Sequence, residues 1–272
     1  MSRQSQPRRR SQRDRCAGRG GSGSPISSAA TFFDESLDDE FELERPYGAP
    51  ALYEWLLLEK FRRSVANVSP QGLSALTVCG GSGMDAEFLA NAGTRVIASD
   101  ISLGAARRAR ERARRHGIPI DVIVADVEHL PFSDASVDIV YVHDGLHHLE
   151  RPLVGLREMA RVARRAVCVT EPAKAALTHL AVRLGLALER EEAGNRVERL
   201  TLDDVCSTLA AEGFRVTGER YAMYYCHEPG RAVRLLSHQP LFRLAQVSFQ
   251  LANALGGRLG NKLTVQAVRE PA

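Results

Sequence analysis

Apolar positions recur along this chain in two alternating rhythms. Leu52, Trp55, Leu56, Leu58 and Phe61 step by threes and fours, the spacing of an amphipathic helix, and Pro70 bounds it. Beyond Pro70, short apolar runs alternate with helical stretches. The runs predict strands over Ala75–Val78, Arg95–Ser99, Ile120–Val124, Val137–Val142, Ala166–Thr170 and Phe214–Glu219. Between them the pattern predicts helices near Met84–Ala92, Leu103–His116, Arg151–Arg164 and Leu202–Glu212. Several strands are almost wholly apolar, as strands become when both faces of a parallel sheet are covered. The expectation is a doubly wound α/β domain.

After the sixth strand the alternation breaks. A long apolar stretch precedes a last strand, Lys262–Val268, and Pro240 stands where a first helical position tolerates it. Arg243, Gln246, Gln250 and Asn253 then draw one polar stripe on an otherwise apolar cylinder. At about 15 residues the cylinder is too short to span a bilayer. It is expected to pack on the sheet, to cover an apolar substrate, or to form a homodimer face.

Composition adds exclusions. Hydrophobic residues make up 44% and charged residues 25% of the 272, ordinary usage for a soluble protein. The five cysteines are spread out with no C-x-x-C pair, which argues against a disulfide framework and for a reducing, cytoplasmic setting. Residues 1–24 carry seven arginines against Asp14 alone, and an acidic stretch from Asp34 to Glu44 follows. Residues 1–45 are therefore expected to be a disordered tail, basic and then acidic, the acidic part a solvated linker. An Arg-rich leader is also compatible with a nucleic-acid- or membrane-attracted arm, a transit peptide or a misplaced start. Residues 46–272 form the expected domain: an N-terminal helix over 46–70, a core over 71–220, and a helical insertion or lid with the last strand over 221–272. Lysine occurs only at 60, 174 and 262, a bias that fits a GC-rich genome.

The first strand runs into Val78-Cys79-Gly80-Gly81-Ser82-Gly83-Met84-Asp85-Ala86. Glycines let the backbone turn sharply and approach a ligand, and the next helix offers free N–H groups. Asp100 lies just beyond the second strand, placed to accept both hydroxyls of a ribose. These features imply an adenosyl cofactor, and on this segment alone a nicotinamide dinucleotide fits too.

Ala125-Asp126-Val127-Glu128-His129-Leu130-Pro131-Phe132, then Val137-Asp138-Ile139-Val140, then Leu146-His147-His148-Leu149 resemble the class I S-adenosylmethionine-dependent methyltransferases, nearest the ubiquinone/menaquinone type. The resemblance covers about residues 70–220. It implies a Rossmann-like seven-stranded sheet with an antiparallel last strand and helices on both faces. It also implies S-adenosyl-L-methionine held by Cys79, Gly80, Gly81 and Gly83, by Asp100 with Ile101, by Asp126 with Val127, and by His143. Two departures stand out: Thr77 and Cys79 occupy the places of the family's acid and first glycine, and Arg164-Arg165 replaces its Gly-Gly turn. The implied reaction is methyl transfer to a small, apolar metabolite. A non-catalytic cofactor-binding protein and an NAD(P)-dependent oxidoreductase are the alternatives, the latter weakened because neither Lys174 nor Lys262 has a tyrosine four residues before it.

Methyl transfer needs a base only when the acceptor must lose a proton. The candidates are His143 and His147, with Asp144 and His148 beside them, although the Leu-His-His-Leu pattern, common in the family whatever the acceptor, favours a structural, helix-starting role for His147 and His148. His143 and His147 with Asp144 also have a spacing a metal could use, but no further ligand follows. Asp138 reads as a strand-edge residue. Tyr221, Tyr224, Tyr225, Cys226 and His227 cluster where the acceptor is expected. The arginines of 103–116 read as a solvated basic face, and neither a basic core nor an added domain for nucleic acid is visible.

Overall fold

The computed structural model describes residues 39–173, 200–223 and 229–269. Its helices are α1 (Asp39–Glu44), α2 (Ala51–Ser64), α3 (Met84–Asn91), α4 (Leu103–His116), α5 (Pro152–Val162), α6 (Leu202–Ala211), α7 (Arg231–Leu236) and α8 (Leu241–Gly256). Its strands are β1 (Ser74–Val78), β2 (Arg95–Asp100), β3 (Ile120–Val124), β4 (Val137–His143), β5 (Ala163–Pro172), β6 (Arg215–Tyr221) and β7 (Lys262–Val268). The seven strands lie in the order β3-β2-β1-β4-β5-β7-β6. Neighbours are parallel except β7, which runs antiparallel to both β5 and β6.

The apolar runs are explained by burial on both faces. In β4, Val140 and Val142 point into one core with α5 and α6, while Ile139 and Tyr141 point into the other with α2 and α3. β5 alternates likewise, Val167 and Val169 against Ala166 and Cys168. Strands flanked by helices on both sides cannot show a polar face.

Four local expectations change. β5 follows α5 without a turn because Arg164 and Arg165 are already strand residues whose guanidinium groups reach Asp138, Arg164 Nη2 at 2.6 Å and Arg165 Nε at 3.1 Å. Asp138 also accepts from the amide of Ser74 at 2.9 Å. Burial would raise its carboxyl, but Ser74 and Arg164 outweigh that and hold it at about 2. Asp138 is thus a clasp at the amino edge of the sheet.

The acidic stretch is not a solvated linker over its described part. It forms α1, which lies on α4, where Arg115 Nη1 meets Glu40 at 2.9 Å and also Glu44. Nor is the arginine face of α4 wholly solvated, because Arg108 and Arg112 are buried. They share the inner face with Ala105, Ala109 and Ala113, at the spacing of neighbouring turns.

Arg112 ties together three segments. It donates to Glu87 Oε2 on α3 at 2.8 Å, to the carbonyl of Ser82 in the glycine loop at 3.0 Å, and to the carbonyls of Glu42 and Arg45 beside α1. Pro240 precedes α8 as its cap rather than opening it. The stripe on that helix is split, since Asn253 turns inward and bonds the backbone of Ala222 in both directions.

Candidate active site

The strand order reverses between β1 and β4, and ligands of open α/β sheets bind in the crevice at such a reversal, outside the carboxyl ends of the strands. The glycine loop after β1 and the turn after β4 line this crevice.

In the loop Cys79, Gly81 and Gly83 all have left-handed backbones, with φ of 51°, 54° and 82°. Bonds from Gly80 N to Ser99 O at 2.9 Å and from Gly83 N to Gly80 O at 3.0 Å hold the turn. A Cβ on Gly81 would meet nothing within 4 Å, so a ligand can approach this backbone directly. A Cβ on Gly83 would lie 3.1 Å from Cβ of Ala109, so that glycine serves the packing of α3 on α4. Cys79 carries a Cβ in a backbone conformation that glycine adopts freely, a strain of roughly 1–2 kcal/mol. Gly145 makes room for it, since a Cβ there would collide with that of Cys79. The hydroxyl of Thr77 is buried with no hydrogen-bond partner among the described residues.

Asp100 ends β2 at the lip of the crevice. Its Oδ2 accepts from Gly81 N at 2.9 Å and its Oδ1 from Ser102 N at 2.8 Å. Two backbone donors therefore orient the carboxylate against the loop. One strand over, Asp126 Oδ1 accepts from Glu128 N at 2.9 Å. Ile101 is exposed beside Asp100, whereas the side chain of Val127 is buried in the core. Any contact from Val127 is thus through its backbone. Burial pushes the Cys79 thiol well up, and Asp100, Glu171 and Asp126 add to the rise.

The other side of the crevice holds a cluster of buried charges. His143 Nδ1 lies 3.0 Å from Asp85 Oδ2, and Tyr141 donates to Asp85 Oδ1 at 3.1 Å. His143 Nε2 is 3.3 Å from Asp144 Oδ2 without meeting the geometry of a hydrogen bond. Lys60 Nζ on α2 approaches the same Oδ2 at 3.7 Å, and Lys262 Nζ at the start of β7 binds Oδ1. Burial and Lys60 press the His143 imidazole down, but Asp85 and Asp144 outweigh them and raise its pKa above the usual value. Burial also lowers Lys60 to about 8 against the pull of Asp144. Asp144 resists its own desolvation and stays well below the carboxylate range because Lys262, His143 and Lys60 surround it.

His147 does not reach this cluster. It is buried, with Nδ1 2.7 Å from Glu171 Oε2, while Glu171 Oε1 accepts from the amides of Gly145 and Leu146 at 2.9 and 2.7 Å. The pair clamps the turn after β4, a structural role. Tyr221 is buried as well, with Arg63 stacked over its ring at 5.0 Å. Tyr224, Tyr225, Cys226 and His227 lie outside the described residues. No group of three or more metal-ligating side chains occurs among the described residues.

Sequence reasoning missed Asp85, Lys60, Lys262 and Glu171 as members of the site. Lys60 carried a usable signal: it follows Leu56 by four and Leu57 by three, on the buried face of its helix. A buried lysine in a chain with only three lysines calls for a partner.

Residues 76–167 match the family described as a methyltransferase domain. A demethylmenaquinone methyltransferase of Corynebacterium urealyticum is 36% identical over 108 residues, 40% of this chain and 44% of the relative. A ubiquinone/menaquinone biosynthesis C-methyltransferase of Cupriavidus pinatubonensis is 35% identical over 111 residues, 40% of this chain and 45% of the relative. The matches thus span less than half the length of these relatives. Among solved structures, the magnesium protoporphyrin IX methyltransferase of Synechocystis PCC 6803 with bound S-adenosylhomocysteine superposes with a TM-score of 0.60 at 19% identity, covering 90% of this chain and all of that one. At that identity the likeness concerns the fold.

Proposed function

We propose that this chain, whose residues 76–167 match a methyltransferase domain, transfers a methyl group from S-adenosyl-L-methionine to a small, apolar acceptor. The observation that carries the reading is the pair of strand-end carboxylates. Asp100 is oriented by Gly81 and Ser102, with Asp126 on the next strand and an open approach over Gly81. Asp100 accepts the ribose hydroxyls, Asp126 and the amide of Val127 meet the adenine edge, and exposed Ile101 covers its face. Gly80, Gly81 and Gly83 let the backbone follow the amino-acid part.

When bound, the cofactor supplies a methyl group made electrophilic by a sulfonium. The protein's task is then alignment, which can lower a barrier by about 7–11 kcal/mol. For an acceptor that must lose a proton, His143 takes it at Nε2. Asp85 holds the opposite ring nitrogen and, with Asp144, stabilises the imidazolium that forms. His147, fixed on Glu171, has no part in the transfer. The names of the curated relatives point to ring acceptors of the quinol type, which are apolar and carry ionisable hydroxyls. Among the described residues Cys79, Cys168 and Cys206 are free thiols, which supports a reducing, cytoplasmic setting.

The test is incubation with methyl-labelled S-adenosylmethionine and a panel of quinols, phenols and other apolar acceptors. The expected result is label in at least one extracted acceptor, reduced at least about 100-fold in His143→Gln if the acceptor is a phenol or quinol. Binding of S-adenosylhomocysteine without transfer to any acceptor would make the protein a non-catalytic binder. Stabilisation by NADH but not by S-adenosylhomocysteine would make it an oxidoreductase.

A further inference from the structure

Eleven large apolar side chains are exposed among the described residues. Ile101, Leu103 and Val124 are at the carboxyl ends of β2 and β3 or one turn beyond, where the adenine is placed. Seven others fall between Leu235 and Leu259, and nothing in the methyl-transfer reading uses them.

Most of these belong to α8. Leu244, Val247, Leu251 and Leu255 are 63%, 51%, 57% and 89% exposed, and their steps of three, four and four make one stripe. The helix is held in place by its other face. Phe242, Ala245 and Phe249 pack on the second core, with Trp55 edge-on to Phe249 at 5.3 Å, and Asn253 is bonded to Ala222. The stripe therefore faces outward on an anchored helix.

Its charge surroundings are one-sided. From Pro229 to Arg269 the chain has no aspartate or glutamate. Arg231, Arg234, Arg243 and Arg258 are all exposed along α7, α8 and the turn after α8. Among the described residues no carboxylate pairs with any of the four. A second copy of the chain related by a two-fold axis would set this cationic face against itself, which disfavours a dimer. An anionic bilayer complements both features at once, with leucines at acyl depth and arginines among the headgroups. No helix of the described residues is long and apolar enough to cross a membrane, so α8 would lie in the plane of the surface.

We propose that α7 and α8 form a docking face for an anionic lipid bilayer. The insertion leaves the sheet at Tyr221 and returns at Lys262, beside Asp144, so docking tethers the crevice close to the lipid phase. That docking serves an acceptor dissolved in the bilayer rests on the methyl-transfer reading, whereas the docking itself does not.

The experiment is co-sedimentation of the full chain with vesicles of phosphatidylglycerol and phosphatidylcholine, and with phosphatidylcholine alone, without cofactor or acceptor. The leader, with its seven arginines, is present in every variant and so cancels. The triple variant Leu244→Ser, Leu251→Ser, Leu255→Ser is expected to lose at least about tenfold in partitioning, with its melting temperature within about 1 °C of the parent. Arg243→Gln with Arg258→Gln is expected to weaken binding to the anionic vesicles by roughly fivefold per arginine and to leave phosphatidylcholine binding unchanged. Unchanged partitioning of the triple variant would overturn the proposal. So would a dimer in light scattering that this variant dissociates, or a fall of several degrees in its melting temperature, which would mean the chain itself covers the stripe. Calorimetry with S-adenosylhomocysteine on the same samples reads the cofactor assignment separately.

Discussion

The two sides of the crevice hold carboxylates by opposite means. On the β2–β3 side, Asp100 and Asp126 sit at strand ends and are oriented by backbone amides close by in space, and Gly81, Ser102 and Glu128 supply them. Such bonds orient a partly hydrated group with little desolvation. On the β4–β7 side, Asp85 and Asp144 are held by Lys60, Tyr141, His143 and Lys262, from the three elements α2, β4 and β7. Those charges are buried, and their mutual attraction offsets desolvation only while every partner is present. Losing a carboxylate should therefore cost the second side more stability than the first.

The largest effect should follow from Asp144→Ala. It strands the buried ammonium groups of Lys60 and Lys262, and urea unfolding should show a loss of about 3–5 kcal/mol. A loss under about 1 kcal/mol would mean that the cluster is hydrated and the contrast between the two sides false.

Next comes pH. The folded state holds Lys60 at about 8, below its unfolded value, so between the two the unfolded chain binds more protons and stability rises with pH. From about pH 7.5 to about 9.5 the parent should gain about 2 kcal/mol relative to Lys60→Met. Parallel stability curves would contradict the burial of a charged lysine.

Smaller still is Asp85→Asn. Asp85 raises the His143 pKa, so its removal should move the rising limb of the pH–rate profile to lower pH by about one unit. An unmoved limb would take His143 out of the proton transfer. A smaller loss of stability than that of Asp144→Ala belongs to Asp100→Ala, expected to be about 1–2 kcal/mol, because the amide of buried Ser102 loses its acceptor while that of half-buried Gly81 can turn to water.

The same contrast explains what the sequence disclosed. Strand Ile120–Val124, strand Lys262–Val268 and helix Leu103–His116 are legible to the residue, because their signals are local: an apolar run, or Ser102 and Gly117 at the ends of α4. The position of Asp100 at the lip of the crevice was legible for the same reason, as a carboxylate one strand after a glycine turn. The charge cluster on the β4–β7 side was not. Lys60, Asp85, His143 and Lys262 are brought together by the β1–β4, β4–β5 and β5–β7 pairings and by the packing of α2 on the sheet, which local spacing does not encode. Arg112 was misread because charge outweighed position: the alanines around it mark a buried face, and its partners lie in α1, α3 and the glycine loop. For His147 the sequence leaves a helix-starting role and a base side by side, and the partner that holds its ring, Glu171 at the end of β5, is 24 residues away.

The central claim is that Asp100 receives the ribose of a bound adenosyl cofactor, and titration calorimetry with S-adenosylhomocysteine tests it most directly. The parent chain should bind and Asp100→Ala should bind roughly 100-fold more weakly, as the loss of two charge-assisted hydrogen bonds requires. Equal affinities, or no binding by the parent, would contradict it.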